Sequence, residues 1–473
     1  MQFTSDTIAA QATPPGRGGV GIIRVSGPGS FLIAQTILNK TPRARHAHFC
    51  NFFSHDQKVI DQGLVIYFSA PHSFTGEDVL ELHGHGGQAV MDLLLQRVLE
   101  LGARLARPGE FMERAFLNRK LDLVQAEAVA DLINAATSQA AQNAARSLVG
   151  KFSCEINKIV AQLIEVRAQI EAAIDFVEEE DVLEIDAPDS SFSHDAKRWS
   201  QLINTILPQV AQLKSDAMQG VILREGVTVV IVGNPNAGKS SLLNCLSGQD
   251  TAIVTDIPGT TRDVLRTWIQ IDGLPIHVLD TAGLHEQPDV VEQEGIRRAW
   301  EEIKKADHVL LMVDAAAESK CAPDVVSEKF LKTIPGGSKL TVLYNKIDLT
   351  KEAARIEKIN NIDCLYLSVK TGAGINLLQK HLKESAGLQI EENVFGARRR
   401  HVDSLARAEK ALQNAERDLA RTTVVEPVAT TATTIELIAE ELKQAQRALG
   451  EITGEVTTED LLGKIFSEFC VGK

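Results

Sequence analysis

The chain has 473 residues, a formal net charge of −14 at pH 7 and 44% hydrophobic residues, so its length predicts about two to four soluble domains. The acidic balance excludes nucleic-acid binding through the overall electric field, so any RNA contact must be a local patch or shared with a partner. Six scattered cysteines without a C-x-x-C pair are typical of reduced thiols in a cytoplasmic protein. The sequence contains no apolar run long enough to predict a membrane span, and its N-terminal residues do not predict a secretory signal.

The first 118 residues are predicted to form a compact α/β unit. Apolar runs at Val20–Val25, Leu64–Phe68 and Val79–Leu82 predict short strands, separated by glycine and proline residues. His83 and His85 lie two residues apart in this region. Because glycines surround them and no third ligand is near, the pattern favours a loop over a metal pair.

Residues 119–225 are predicted to be helical. Glycine nearly disappears, and apolar residues recur at helical spacing from Leu121 to about Asp175. The acidic run at 178–181 is interpreted as a solvated charge run, and a further helix is predicted at Ala196–Met218.

Residues 226–388 alternate predicted strands with predicted helices. This alternation favours right-handed crossovers and a mostly parallel, doubly wound sheet. The predicted strands are Val227–Val232, Val264–Ile271, Ile276–Leu279, His308–Asp314, Lys339–Tyr344 and Cys364–Ser368.

Residues 389–473 are again predicted to be helical. The predicted helices are Ala397–Ala420 and Ile435–Leu449, joined by the threonine-rich segment Thr422–Thr434. The simplest account is one helical domain in two pieces, with the α/β module inserted between them. The basic run at 398–401 favours a solvated helix start or salt bridges over an RNA contact.

The segment Gly233–Ser240 matches the phosphate-binding pattern G-x-x-x-x-G-K-[ST] between a predicted strand and a helical run. Its backbone N–H groups and the helix N-terminus suit phosphate oxygens. Lys239 is predicted to contact the β- and γ-phosphates, and Ser240 to ligate Mg²⁺. The candidate nucleotide-binding residues here are Asn236, Ala237, Gly238, Lys239, Ser240 and Ser241.

Residues predicted to bind the nucleotide or Mg²⁺ follow the ends of three further predicted strands. Asp280 is predicted to hold Mg²⁺ through a water, and the backbone of Gly283 to approach the γ-phosphate. Asp348 is predicted to accept guanine N1–H and N2–H, which adenine does not offer, so the nucleotide is GTP. The candidate residues at these ends are Asp280, Thr281, Ala282 and Gly283, then Asn345, Lys346 and Asp348, then Ser368, Val369 and Lys370 behind guanine O6.

Leu284 follows Gly283 where many GTPases have a water-orienting glutamine, so hydrolysis must be organised differently. In the loop before the second strand, Thr261 is a candidate second Mg²⁺ ligand, and Arg262 is an alternative internal arginine finger. The other candidate nucleotide contacts there are Thr255, Asp256, Ile257, Pro258, Gly259 and Thr260. Four acids that follow Gly283 are candidates to position water: Glu286, Asp289, Glu292 and Glu294.

Four features of the chain point to a known family. They are the N-terminal segment Asp6–Gly19, the inserted GTPase module, the loop Gly259–Arg262 and the terminus Phe469–Lys473. With them the chain resembles, over its full length, the MnmE (TrmE) family of tRNA modification GTPases in the TrmE-Era-EngA-YihA-Septin-like superfamily. The resemblance implies a multidomain α/β plus all-α fold with a Ras-like P-loop domain. Only Val369, where alanine is more usual, departs from the pattern.

The resemblance also implies domains, ligands and site residues. Residues 1–118 are expected to dimerise and bind 5-formyltetrahydrofolate or a related reduced folate through Arg24, Glu81, Lys120 and Lys473. The helical domain is expected at 119–225 and 389–473, around a GTPase domain at 226–388. The implied K⁺ ligands are Asn236, Thr255, Ile257 and Thr260, and the implied water-orienting acid is Glu292. Cys470 is a possible functional thiol near the folate site, or a buried or tail thiol only.

The function implied is a K⁺-activated, Mg²⁺-dependent GTPase. As a homodimer in a heterotetramer or larger complex with MnmG, which carries FAD, it would install an aminomethyl-type or carboxymethylaminomethyl group at carbon 5 of the wobble uridine in certain tRNAs. The alternative is a GTP-dependent switch in ribosome assembly, since such proteins share the Gly-Thr-Thr-Arg loop. They append a compact basic RNA-binding domain, whereas this chain has an acidic helical frame.

Overall fold

The computed structural model describes residues 6–179, 191–234, 236–249, 266–280, 306–316, 338–388, 394–422, 429–467, 469 and 472. The chain separates into two compact units. The first, unit 1, comprises Met1–Ala130, Leu148–Leu207 and Arg407–Lys473, and the second, unit 2, comprises Asp131–Ser147 and Pro208–Ala406. The predicted domain boundaries divide the chain differently from these units and stay predictions.

Unit 1 contains a six-stranded sheet in the order β3-β4-β5-β2-β1-β6. Strands β1 and β6 are parallel, and the other neighbours are antiparallel. The strands are β1 (Ile8–Gln11), β2 (Gly18–Ser26), β3 (His48–Phe53), β4 (Val59–Phe68), β5 (Val79–Gly86) and β6 (Arg104–Leu105). The three apolar runs of the sequence fall on β2, β4 and β5, which confirms those predictions.

One face of this sheet builds a hydrophobic core. Because side chains alternate along a strand, Ile23 and Val25 enter the core while Arg24 lies on the opposite face. Helices α1 (Ser30–Leu38) and α2 (Gln88–Glu100) supply apolar residues to the same core, and α3 (Glu110–Leu117) follows β6. The sequence did not predict these helices within residues 1–118.

The histidine pair of β5 corrects a prediction. His83 and His85 lie on a strand and not in a loop. His83 Nε2 is 3.2 Å from Glu81 Oε2, and His85 Nδ1 is 2.8 Å from Asp61 Oδ1. Among the described residues, no group of three or more potential ligands could hold a metal ion. The glycines around the histidines do not break the strand, because β2 pairs with Gly84 and Gly86.

Long amphipathic helices make up the rest of unit 1. Apolar residues three or four apart give each helix one buried stripe, as at Phe152, Ile156 and Ile159. The helices are most of α4 (Leu123–Ile133), α6 (Lys151–Glu179), the first part of α7 (Ser191–Glu225), the later part of α11 (Arg399–Thr422), α12 (Ala429–Thr453) and α13 (Glu459–Ser467). Helix α12 begins inside the segment predicted to be a threonine-rich joint and extends to Thr453, because buried apolar spacing continues to Ile452. None of the described helices is long and apolar enough to cross a bilayer.

Unit 2 contains a seven-stranded sheet in the order β12-β13-β11-β10-β7-β9-β8. Its five central strands are parallel, and β8 and β12 are antiparallel edges. The strands are β7 (Val227–Gly233), β8 (Arg266–Ile271), β9 (Leu274–Asp280), β10 (His308–Asp314), β11 (Lys339–Asn345), β12 (Arg355–Ile359) and β13 (Ile362–Tyr366). The prediction of a mostly parallel sheet is confirmed, although the charged edge strand β12 was missed.

Helices pack around this sheet. Leu242 and Leu246 of α8 (Lys239–Gln249) and Leu378 of α10 (Ile375–Ser385) are buried in one core with the sheet. The other helices of unit 2 are α5 (Ser138–Leu148), the later part of α7 (Ser191–Glu225), α9 (Ile347–Thr350) and the start of α11. The residues that join β9 to β10 and β10 to β11 lie mostly outside the described ranges.

The basic run that begins α11 forms ion pairs within unit 2. Arg398 is 9% exposed and lies 2.9 Å from Asp131, while Arg399 lies 2.8 Å from Glu225. These contacts favour the salt-bridge interpretation of this run over an RNA contact.

A buried carboxylate organises the first turn of α3 in unit 1. Glu110 is 2% exposed and accepts hydrogen bonds from Arg104 at 2.5 Å and Arg114 at 3.2 Å. Burial alone would raise the pKa of Glu110, but these two guanidinium groups and the backbone N–H of Arg107 lower it to about 2. The carboxylate is therefore charged and fully paired at neutral pH.

We predict that Glu110→Gln lowers the free energy of unfolding by about 2 kcal/mol at pH 7, since two guanidinium groups lose a buried charge partner. Because the folded pKa lies below the ordinary 4.5, this stabilisation is complete above pH 4.5 and is lost as the pH falls toward about 2. Thermal unfolding of the full chain against pH measures it. The matched control Glu113→Gln, whose partner Arg107 is exposed, should change little. Equal midpoints for Glu110→Gln and the original chain at pH 7 would contradict the account.

Candidate functional site

The phosphate-binding motif lies in unit 2 between the end of β7 and the start of α8. Lys239 is the first residue of α8 and is 6% exposed. Its Nζ donates to the carbonyl oxygens of Gly233 at 2.7 Å and Asn234 at 3.1 Å. The ammonium group thus lies across the loop that Gly233 opens and Lys239 ends. This is the arrangement expected of a loop whose lysine neutralises phosphate charge.

Gly238 gives this loop close contact with a second loop. Its φ is +103°, and a Cβ atom there would lie 2.4 Å from the side-chain nitrogen of Asn345. Any larger residue would be strained and would displace the Asn345 amide. The motif glycine therefore has a structural partner 107 positions later in the chain, at the end of β11.

Asn345 joins the two halves of the nucleotide site. Its Nδ2 donates to the carbonyl oxygen of Ala237 at 2.8 Å, and its Oδ1 accepts from the N–H of Val369 at 3.1 Å. The side chain is 3% exposed, so both hydrogen bonds form away from water. One buried amide thus fixes the phosphate loop and the base loop to the same strand end.

The carboxylate predicted to recognise guanine is oriented by its neighbours. Ser368 Oγ donates to Asp348 Oδ1 at 2.6 Å and accepts from the N–H of Thr371 at 3.3 Å. Ser368 is fully buried, so this contact is fixed. The geometry brings Asn345, Asp348 and Ser368 together at one end of the sheet, and their roles toward guanine stay predictions.

Asp314 is a site residue that the sequence analysis missed. It ends β10 opposite Asn345, and its Oδ2 lies 2.6 Å from Lys346 Nζ. The hydrogen bond from Lys346 lowers the pKa of Asp314, against a smaller effect of burial. Lys346 adopts a left-handed backbone at φ 70°, and this ion pair holds its side chain. A carboxylate at the carboxyl end of a predicted parallel strand was the signal that could have identified it.

Some of the other predicted nucleotide residues lie in the described part of unit 2, and the rest lie outside the described residues. In unit 2, Asn236, Ser240, Ser241 and Lys370 are exposed at the loop ends, and Val369 packs against the core. Asp280 ends β9, the parallel neighbour of β7, with its backbone paired to Ile231. Ser240 is exposed in the first turn of α8, and Asp280 lies at the carboxyl end of β9. Hydroxyl and carboxylate groups are donor types that suit Mg²⁺. Thr255, Asp256, Ile257, Pro258, Gly259, Thr260, Thr261, Thr281, Ala282, Gly283 and Glu292 lie outside the described residues.

A second cluster lies in unit 1 on the sheet face opposite the core. Arg24 of β2 and Glu81 of β5 are directly paired across the strands, and Arg24 Nη2 lies 2.9 Å from Glu81 Oε1. The contact with His83 and the Arg24 guanidinium hold the pKa of Glu81 below its usual range, although burial opposes them. The pair is therefore charged at neutral pH.

Aromatic rings and the chain terminus surround this pair. The Arg24 guanidinium carbon lies 5.4 Å from the ring centre of Phe74 and 5.9 Å from that of Phe111. Arg24 Nη1 also donates to the carbonyl oxygen of Gly472 at 3.3 Å. A charged pair beside aromatic faces suits a planar, polar heterocycle.

Two of the four predicted folate residues meet directly, and a third borders the same loop. Lys120 Nζ donates to the carbonyl oxygen of Pro71 at 3.0 Å, three residues before Phe74. Lys473 and Cys470 lie outside the described residues, although Gly472, next to Lys473, contacts Arg24. Phe74 and Phe111 were missed from the sequence, because only the fold brings the loop of Phe74 and helix α3, which carries Phe111, to Arg24.

Two family models match the chain. The model of the MnmE helical domain matches residues 123–470, and the model of the GTP-binding protein TrmE N-terminus matches residues 7–120. Together with the sheets and helices described above, they confirm the predicted fold class, an N-terminal α/β domain, a helical domain and a Ras-like P-loop domain.

Individual proteins are similar over the full length. The tRNA modification GTPase MnmE of Proteus mirabilis (strain HI4320) is 52% identical over 472 residues, which cover 99% of this chain and 100% of that protein. That of Histophilus somni (strain 129Pt) is 53% identical over 473 residues, covering all of both chains. A crystal structure of an Aquifex aeolicus Era variant bound to GDP.AlF4⁻ is 26% identical, covers 40% of this chain and 67% of that one, and has a TM-score of 0.26. From the family models and the full-length relatives, the chain belongs to the MnmE family of tRNA modification GTPases.

Proposed function

We propose that this chain hydrolyses GTP at the carboxyl edge of the seven-stranded sheet and uses that cycle to modify carbon 5 of the wobble uridine in tRNA. The observation that carries the nucleotide assignment is the buried Asn345 amide, which joins the phosphate loop to the loop that orients Asp348. The role in tRNA modification follows from the names of the full-length relatives.

The chemistry of the site supports GTP over ATP. Asp348 is held by Ser368, so its carboxylate is positioned to accept the two N–H groups that guanine offers and adenine lacks. Lys239 would exchange its carbonyl partners for phosphate oxygens. Ser240 and Asp280 would hold Mg²⁺, which neutralises charge on the β- and γ-phosphates when bound.

We assign the remaining parts of the hydrolytic site by family resemblance. Asn236 is exposed within the phosphate loop, where a side-chain oxygen suits a K⁺ ligand. Thr255, Ile257 and Thr260 would complete the K⁺ site, Thr261 would add a Mg²⁺ ligand, and Glu292 would orient water. Such cations stabilise charge that develops in the transition state.

For unit 1 we propose binding of a reduced folate at the Arg24–Glu81 pair. The charged pair matches the polar edge of a pterin ring, and Phe74 and Phe111 match its faces. Lys120 and Lys473 would add positive charge for the carboxylates of the ligand. The proposed assembly is a homodimer with predicted domains 1–118, 119–225, 226–388 and 389–473, working with FAD-carrying MnmG in the cytoplasm.

Mass spectrometry of tRNA nucleosides from cells that lack the chain tests the function. We expect loss of the aminomethyl-type group at carbon 5 of the wobble uridine, and restoration by the original gene. Lys239→Ala should fail to restore it, because the phosphate charge loses its counter-charge. The control Lys358→Ala, on an exposed position of the edge strand β12, should restore it fully. An unchanged nucleoside profile in the deleted strain would discard the tRNA role and favour the ribosome-assembly switch.

Calorimetric titration of the full chain with 5-formyltetrahydrofolate tests the second cluster. Arg24→Met and Glu81→Gln should each weaken binding at least about tenfold, since each leaves a partly buried charge without its partner. Arg43→Met removes an exposed arginine from the same unit and should bind as the original chain does. Unchanged affinity in both cluster variants would remove the folate assignment from this pair.

A further inference from the structure

Unit 2 contains a cavity of about 610 Å³ at the amino-terminal ends of the parallel strands, opposite the nucleotide loops. Three parallel strands begin at its wall, β7 at Val227, β10 at His308 and β11 at Lys339. The same strands end at Gly233, Asp314 and Asn345, which carry the nucleotide site. The cavity is therefore a separate space, and neither the proposed GTP site nor the Arg24 cluster uses it.

The walls combine an apolar surface with a polar rim. Helices α7 and α11 supply Met218, Val221, Ile222 and Val402. The volume is within the range of about 300–1,000 Å³ that is usual for small-molecule sites. An apolar wall of this size accommodates the hydrocarbon part of a ligand.

The two cations at the rim already have partners. Lys339 Nζ donates to the carbonyl oxygen of Ser385 at the end of α10. Arg399 Nε lies 2.8 Å from Glu225, the last residue of α7. The carbonyl partner of Lys339 is neutral, so this ammonium keeps its charge, whereas Glu225, Asp307 and Asp403 all act on Arg399 and raise its pKa. Among the described lining residues, three carboxylates therefore stand against two cations, and the rim carries a net negative charge.

Two other carboxylates lie at the rim, and both are close enough to Arg399 to raise its pKa. Asp403 is exposed in the first turns of α11, and Asp307 is exposed, with its Oδ2 accepting the N–H of Thr228 at 2.8 Å. The carboxyl-terminal ends of α7 and α10 also meet the cavity, against one amino-terminal end from α11, so helix dipoles add negative potential.

The histidine in the wall adds no positive charge. His308 is 1% exposed, and its two ring nitrogens contact the hydroxyl oxygens of Ser385 at 2.9 Å and Thr341 at 2.8 Å. Burial, with smaller effects of His381 and Lys339, lowers its pKa to about 3, so it is neutral at pH 7.

We propose that this cavity is an effector site for a compact organic cation, an amine or guanidine with an apolar body, whose charge lies between Asp307 and Asp403. The apolar part contacts Met218, Val221 and Val402. Occupancy is coupled to the nucleotide site, because rigid strands run from the cavity wall to the phosphate loop and to Asn345. Binding does not depend on the proposed function, whereas the coupling rests on it.

Isothermal titration of the full chain with three matched probes tests the ligand class. The probes are 4-phenylbutylamine, 4-phenylbutanol and 4-phenylbutyrate, which share an apolar body and differ in charge. We expect one saturable site with the amine bound at least about fivefold more tightly than the alcohol, and a difference that shrinks with salt. Equal or tighter binding of the butyrate would overturn the assignment.

Two variants locate the site. Met218→Trp fills the cavity from a position that is 46% exposed, so folding should be retained while amine binding is lost. Asp403→Asn should weaken amine binding at least about fivefold and leave alcohol binding unchanged. Unchanged amine binding in both variants would overturn the proposal.

The dissociation rate of a fluorescent GDP analogue tests the coupling. The amine should change this rate at least about twofold in the original chain and not in Met218→Trp. Amine binding without any change in GDP dissociation would overturn the effector role and leave a ligand site only. Failure of GDP binding itself would instead count against the proposed function.

Discussion

The nucleotide site depends on one buried amide. Asn345 ends the strand β11 and forms hydrogen bonds to Ala237 in the phosphate loop and Val369 in the base loop. The amide has room only because residue 238 is glycine with φ +103°. Phosphate binding and base recognition are therefore not independent features, and each loop is held in place by a contact that also fixes the other.

The charged cluster of unit 1 is also held in place by contacts that the fold sets. Arg24 and Glu81 lie opposite each other on neighbouring strands, and the strand register alone places them in contact. Their aromatic neighbours come from residues 74 and 111, on separate loops and helices. A polar pair fixed by a sheet and flanked by rings is rigid, which would lower the entropic cost of binding the planar ligand proposed for it.

Periodicity and motif spacing predicted much of this architecture, but not the contacts between distant segments. The parallel strands β7, β10 and β11 follow from apolar runs of the right length, and the motifs at their ends follow from position. Helices α1 and α3, of nine and eight residues, were missed because short helices among glycine-rich turns give weak periodicity. Helix α2 has 13 residues and buries Met91, Leu94 and Val98 at helical spacing, a pattern that the sequence contained and that was overlooked. Phe74 was missed because its role arises from a tertiary contact with Arg24 that no local pattern contains. Asp314 could have been identified from its place at the end of a predicted parallel strand, although its contact with Lys346 could not.

Amide hydrogen exchange on the full chain and on Asn345→Ala tests the coupling of the two loops most directly. The account predicts that exchange accelerates together in Gly233–Gln249 and in Ser368–Ala373, while the control Asn376→Ala, an exposed position of α10, leaves both segments unchanged. Faster exchange in one segment with full protection of the other would show that the loops are fixed separately, which would contradict the account.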